Sequence, residues 1–425
     1  MIKFLRHSGL VGGLVFLLAG CASYSDDMKK VQTSFRAGQY GEALTRLEES
    51  PLKEQTRNRL LYLLEKAMIL DRQGQRNESR KLLIKADRLV DDLYTTSVSK
   101  AAATFVFNDS AQDYPGEDYE KVAIHTMLAH SFIEDGDLKS ARVEAARINT
   151  RLNEINNFYE ENKNRYKEDA YARYLAGMIY EALGEDDSAI VDYRAALRIY
   201  EGDYRKIFAT RAPDHLVVAL YRLLMKRNRA DEAKELKKAY DLQGPKLDTR
   251  EALGEVVVLH ELGEIAGKEK TEFVYPIGSE IVRFSFPVIR RVKTNFGRTG
   301  VKVNEDRSHP SDLAQNFDII ARETLEDRRG RIIAKSLARL VMKSQMTQKA
   351  QKEFGALGWL AGNIYGAVTE TADTRSWALL PAAVHVSRVM LKPGNYDLTI
   401  YNDGKTSRVR KVSVKAGELV LIRDY

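Results

Sequence analysis

Chemistry in this 425-residue chain falls to few side chains, because it has one cysteine and seven histidines. Cys21 closes the run Leu18-Ala19-Gly20-Cys21, behind a basic start at Lys3 and Arg6 and an apolar stretch over 9–18. That stretch is too short for a helix across a hydrocarbon core of about 30 Å, so cleavage is expected in place of a membrane span. Small residues at Ala19 and Gly20 open the backbone to a peptidase, and the thiol is the one good nucleophile available to accept an acyl chain. An ordinary leader with a leftover thiol is the alternative. With no second cysteine there is no intramolecular disulfide, and stability has to come from packing.

Histidine chemistry is less well supported. His260-Glu261-Leu262-Gly263-Glu264 starts like the zinc-protease motif HExxH, but Glu264 stands where the second histidine ligand is required and the flanks read as strand. His125 and His130 are five apart, so they point to different sides of one helix and are read as packing. No Gly-x-Ser-x-Gly elbow, phosphate-cradling glycine loop or Ser-x-x-Lys pair occurs. Neither a metal nor another cofactor is expected, and the chain reads as a non-enzyme. Acid pairs of the glycosidase type are invisible to sequence spacing, which keeps an unrecognised hydrolase as a third reading.

Two charged patterns stand out. Arg331, Lys335, Arg339 and Lys343 recur every fourth residue and share one broad helical face, with a drift of about 40° per step. They form either a solvated face or a dock for anionic headgroups or an acidic partner. Asp373, Arg375 and Trp377 fall at a domain junction, where a carboxylate holding a guanidinium beside an indole makes an internal clamp; ligand binding is the alternative.

The elements that position these residues divide in two. Gly177, Tyr180, Gly184, Ala189, Tyr193 and Ala196 have the spacing of a tetratricopeptide repeat, with small residues where two antiparallel helices touch and Gly184 at the turn. The frame recurs at Ala129, Phe132, Gly136, Ala141, Ala145 and Ile148, and again at Ala67, Leu70, Gly74, Ser79, Leu83 and Ala86. Further turns at 37–43 and 230–233, the last with Asn228 in place of glycine, predict five units. The insertion 95–119 is either a functional projection over one face or a plain connection.

After residue 247 the period changes to two. Runs at 255–260, 272–275 and 281–286 read as strands, and a helix capped by Ser311 or Asp312 follows, weakened at Gly330. The apolar, glycine-rich stretch 354–368 is read as a core helix, with membrane contact as the alternative. Strands over 384–425 close the chain as a small antiparallel sheet or sandwich. The fold class is therefore mainly α: leader 1–20, a tetratricopeptide-like solenoid over 21–247, and an α/β domain with antiparallel strands over 248–425. The formal charge is +7. Two of these charges, Lys3 and Arg6, belong to the leader, so +5 remain, a modest excess that points away from nucleic acid and toward headgroups, cell-wall polymers or acidic partners.

The Cys21 run resembles the processing site of bacterial lipoproteins. Ala22 and Ser23 follow it with no aspartate, which by that resemblance implies sorting to the outer membrane, facing the periplasm. The Tyr114-Pro115-Gly116-Glu117-Asp118-Tyr119-Glu120 stretch, Ala141-Arg142-Val143-Glu144, and 372–377 followed by Pro393-Gly394-Asn395-Tyr396 resemble a family of bacterial tetratricopeptide lipoproteins with no established activity. The expectation is a scaffold tethered to the membrane through lipidated Cys21, with an envelope protein in its repeat groove. A peptidoglycan- or glycan-binding accessory factor using the closing sheet is the alternative. Replacing the thiol, Cys21→Ser, should move the protein out of the outer-membrane fraction; fractionation that leaves it there removes the lipid anchor.

Overall fold

The computed structural model describes residues 24–100, 110, 112–158, 165–242, 252–277, 280–293, 295–304, 307–369, 372–402 and 405–425. Cys21 lies outside these residues, as do 101–109 and 111 of the insertion. The first half is five helical hairpins: α1 (Tyr24–Arg36) with α2 (Tyr40–Glu49), α3 (Arg59–Arg72) with α4 (Arg76–Lys100), α5 (Asp118–Glu134) with α6 (Leu138–Phe158), α7 (Ala170–Ala182) with α8 (Asp186–Ile199), and α9 (Asp214–Lys226) with α10 (Ala230–Ala239). Each inter-helix turn needs a residue in the left-handed region. Gly38, Gly74, Gly136 and Gly184 supply it with φ of 72° to 80°, and Asn228 does so at 57°. The insertion is shorter than its sequence span, because α4 runs on to Lys100 and the buried Tyr114 donates its backbone N–H to Arg57 O at 2.8 Å.

Among the described residues the second half contains ten strands and one long helix. β1 (Gly254–Leu262), β6 (Asp312–Asn316), β7 (Ala383–Leu391) and β10 (Leu419–Asp424) form a sheet in the order β10-β1-β7-β6. β4 (Gly300–Val303), β5 (Arg307–Pro310), β8 (Gly394–Asn402) and β9 (Lys405–Val414) form a second sheet in the order β5-β4-β8-β9, and β2 (Glu269–Ile277) with β3 (Glu280–Val288) is a separate hairpin. The closing strands thus do not make one antiparallel sheet. They are shared between two, and β10 joins β1 in parallel, with Val257 opposite Leu421. The reason lies in β1, which is buried along its whole length and has β7 on one edge, leaving the other for β10.

β1 is the middle of a three-layer stack. Val256 and Val258 pack into the core between the two sheets, and Val257 and Leu259 into the core shared with the helices. A strand covered on both faces reads as a continuous apolar run, which is why its alternation is hidden in the sequence.

Two sequence expectations change here. Asp312 belongs to β6, and the helix after it begins at Phe317, where the Asn316 side chain caps it by accepting Ile319 N at 3.0 Å. The stretch 354–368 is not a second helix: α11 (Phe317–Thr369) runs on through Gly330 as one helix of 53 residues, about 80 Å long, that packs along β3 and touches α5. No helix among the described residues is long and apolar enough to cross a membrane.

The hairpin crossing at Gly177 is a test of the repeat geometry. A Cβ there would overlap the fully buried Tyr193 ring. Gly177→Val should destabilise the protein by about 1–3 kcal/mol, read from chemical denaturation.

Candidate functional site: the inner face of the repeats

The side chains expected to line a groove for a partner lie on the first helix of each hairpin, and they contact the chain's own second half. One apolar core runs from Tyr24 and Val31 through Leu64, Ile124, Tyr171 and Leu220 into Val257, Val386 and Leu421. The expected position of an envelope protein's segment is therefore occupied from within by β1, β6, β7, β10 and the segment 376–380. The cause is the alternation of β1, β7 and β10, which turns one apolar face, with a few charges in it, toward the helices.

Those charges form two buried knots. In the first, Glu261 of β1 accepts from Arg423 of β10 at 2.6 and 3.0 Å, from Arg72 of α3 at 2.7 Å and from His130 Nδ1 of α5 at 2.7 Å. Arg423 also reaches Asp71 of α3 at 2.8 Å, and its guanidinium, with those of Arg72 and Arg408, lies 4.2 to 5.0 Å from the Tyr425 ring. Burial opposes the charge on Glu261, but Arg423 and Arg72 outweigh it and hold the carboxyl well below the usual range. His130 is pushed down by burial. An ionised Glu261 can only accept, so His130 donates from Nδ1 and its Nε2, 2.6 Å from Tyr171, accepts the phenolic proton.

The second knot joins Arg388 of β7 to Glu255 of β1 at 2.9 Å and to Glu181 of α7 at 2.8 Å. Tyr193 of α8 completes it, donating to Glu181 at 2.5 Å. Nearby, Gln315 of β6 donates to Asp169 at 2.8 Å and Tyr200 to Ala314 O at 2.7 Å. All five first helices thus hold the second half: α1 through Gln32, which donates to Ala378 O, and α9 through Arg222, 3.6 Å from Glu255.

The 373–379 segment is clamped as well. Asp373 holds Arg375 at 2.7 and 2.9 Å, and Arg375 donates onward to Gln112 O at 2.9 Å and Asn58 Oδ1 at 3.1 Å. The aromatic face under the guanidinium is Tyr114, at 5.2 Å. Trp377 is fully buried, and its backbone N–H donates to Glu120 at 2.7 Å. Lys268 bridges this clamp to Glu117, which also pairs with Arg328 of α11.

Glu65 of α3 takes the next two backbone donors, Ala378 N at 2.5 Å and Leu379 N at 3.0 Å. Burial raises its carboxyl to about 8 in spite of these donors. Tyr24 accounts for how a protonated Glu65 is accommodated. Its single hydroxyl proton lies between Glu65 Oε1 at 2.6 Å and Ser376 O at 2.8 Å, and it can serve only one of them at a time. A proton on Glu65 lets the carboxyl donate to Tyr24 while Tyr24 donates to Ser376.

Other candidate residues are dispersed. Arg331 is exposed and Lys335 half-buried, but Arg339 is only 2% exposed, because the drift of the stripe turns Ser336 and Arg339 toward the protein where α11 lies along β3. The four basic residues are thus not one solvent-facing row; the Lys343 side chain lies outside the described residues. His260 is on the opposite face of β1 from Glu261 and lies 2.9 Å from Ser387. His125 sits between Glu144 at 2.9 Å and Asp87 at 3.2 Å. Both helix histidines thus belong to polar networks, where spacing alone read packing. Among the described residues no group of acids and histidines is placed to hold a metal. Glu65, Glu120, Arg388 and Arg423 were missed as anchors; the available signal was a charge at an inward position of an otherwise apolar strand or helix.

Two outcomes follow from these networks. Arg423→Met leaves Asp71 without its strand partner and Glu261 short of one cation, at a cost of about 3–5 kcal/mol measured by chemical denaturation. Between about pH 4.5 and about 8 the folded state keeps a Glu65 proton that the unfolded chain has released, so this residue makes stability fall as pH rises through that window. Glu65→Gln should flatten that part of the melting-temperature profile while lowering stability overall, because each N–H faces a different carboxyl oxygen and one of these becomes an NH2 group that cannot accept.

No family model and no curated relative matches the sequence. Solved structures similar to about half of the chain include a MamA protein, at 16% identity over 52% of this chain and 96% of that one with a TM-score of 0.31. Another is a kinesin light chain with nearly identical tetratricopeptide-like repeats from Podosopora anserina, at 15% identity over 51% and 92% with a TM-score of 0.32.

Proposed function

We propose that this protein is a non-catalytic interaction scaffold of the bacterial envelope. Lipidated Cys21 tethers it to the periplasmic face of the outer membrane, and it presents the outer face of its repeats to a protein partner. The observation that carries this reading is the exposure of Val143 at 47% and Val191 at 65%. Each stands two residues after the small residue, Ala141 or Ala189, that packs its helix inward, so they occupy the same place in successive repeats. With the inner face filled by β1, β7 and β10, a partner has the second helices available to it. An apolar residue repeated at the outward position of α6 and α8 provides a spaced pair of contacts for one extended or helical segment.

The test is a photo-crosslinking residue placed at 143 or at 191 in cells, with a third placed at the buried Val257. Crosslinks to one envelope protein from both outer sites and none from 257 support the scaffold. Sedimentation of the purified protein with cell-wall sacculi, without any protein crosslink, replaces it with a glycan-binding role.

A further inference from the structure

A cleft outside the repeat groove has the makings of a ligand site. It encloses about 370 Å³ where the end of α1, the turn after β1, the chain after β3 and the start of α11 meet. That volume lies within the range of small-molecule sites. Its open wall is Gly267, where no atom lies within 4 Å of the place a Cβ would take.

The charges of the cleft sort into paired and unpaired. Glu264 faces Arg36 across two 3.0 Å contacts. Asp318 accepts the backbone N–H groups of Ala266 at 2.6 Å and Lys293 at 2.9 Å. Asp318 is thereby held by two backbone donors, and Glu264 by one hydrogen bond from Arg36 and an ion-pair contact on its other oxygen. Arg291 and Lys293 remain exposed on the rim: the Lys293 ammonium lies 5.2 Å from the Phe296 ring centre and acts on Asp318 through space, and Arg291 has no ion pair among the described residues. A guanidinium fork can grip phosphate oxygens in a bidentate way, and the ammonium two residues on adds a point charge. Asp318, held by two N–H groups, fixes the 291–293 segment against the start of α11 and so sets the spacing of the two cations.

We propose that this cleft binds a phosphate ester, with Arg291 and Lys293 on the phosphate oxygens and the esterified group in the space beside Gly267. The same chemistry is offered by a phospholipid headgroup and by a free phosphorylated metabolite. Neither source depends on the partner surface at Val143 and Val191, so the two readings fail separately.

The experiment titrates the full chain in neutral detergent with two soluble probes by calorimetry: glycerol 3-phosphate, a monoester, and glycerophosphoglycerol, the diester headgroup of phosphatidylglycerol without its acyl chains. Saturable binding of either probe is expected. It should weaken about tenfold or more in the double variant Arg291→Glu/Lys293→Glu and stay unchanged in Lys302→Glu/Lys411→Glu, which alters net charge equally at exposed positions on the second sheet. Tighter diester binding assigns the headgroup, and tighter monoester binding assigns the free metabolite. Binding of neither probe, or equal weakening by both double variants, overturns the site. All four positions are exposed, so unchanged melting of the variants separates loss of binding from loss of fold.

Discussion

The architecture depends on removing Glu261 from water. A single carboxylate, surrounded by two guanidiniums and an imidazole, ties a central strand to an edge strand and to the first helices of two different repeats. Isolated in an apolar interior such a charge is prohibitive, and it is tolerated here because four donors converge on it. The consequence is geometric. The sheet enters the helical array only in the one register that brings Arg423, Arg72 and His130 together, so these charges fix position as much as they supply energy. Arg388 repeats the device farther along the array, between Glu255 and Glu181, and two such points on one sheet face fix its orientation.

This changes what the repeats are for. A free solenoid exposes its inner face to whatever fits; this one holds the second half of its own chain against all five hairpins. Helices and sheet share one core. The second half is less an appended domain than the other half of the same packing unit, with β1 at the centre of a stack of helices, sheet and sheet. Surfaces left for other molecules are those that the packing does not use: the outer helices, the long α11 and the cleft beside its start.

Much of this was legible from local spacing, and the rest failed for identifiable reasons. Gly184, Ala189 and Ala196 reveal a helix crossing because the steric demand falls within about twenty residues. The turn at Asn228 could be read as well, because asparagine tolerates the left-handed conformation. Docking could not be read, because its partners are remote: Arg423 and Asp71 are 352 residues apart, and Trp377 and Glu120 are 257 apart. Asp312 looked like a helix cap since cap and strand residues overlap in type, and the true cap, Asn316, lies four residues on. The basic stripe was misjudged for a related reason: a fourfold repeat of charge says which residues share a face of α11 but not which way that face turns. The Asp373, Arg375 and Trp377 cluster stood out because its residue types are unusual together, yet Tyr114, which lies under the guanidinium, belongs to a segment over 250 residues earlier.

The parallel pairing of β10 with β1 bears on how the chain folds. The hairpins are built from neighbours in sequence and can form early, but the strand that completes their apolar inner wall comes after everything it touches. Until it arrives, that wall and the open edge of β1 are exposed to other chains. Folding of this protein therefore has a rapid local stage followed by a slow closure dominated by long-range contacts, and the interval between them is when aggregation or chaperone capture competes. With a single cysteine the chain forms no intramolecular disulfide and has no covalent means of shortening that interval. The convergence of charges on Glu261 then acts as a late checkpoint, satisfied only when both ends of the chain have met.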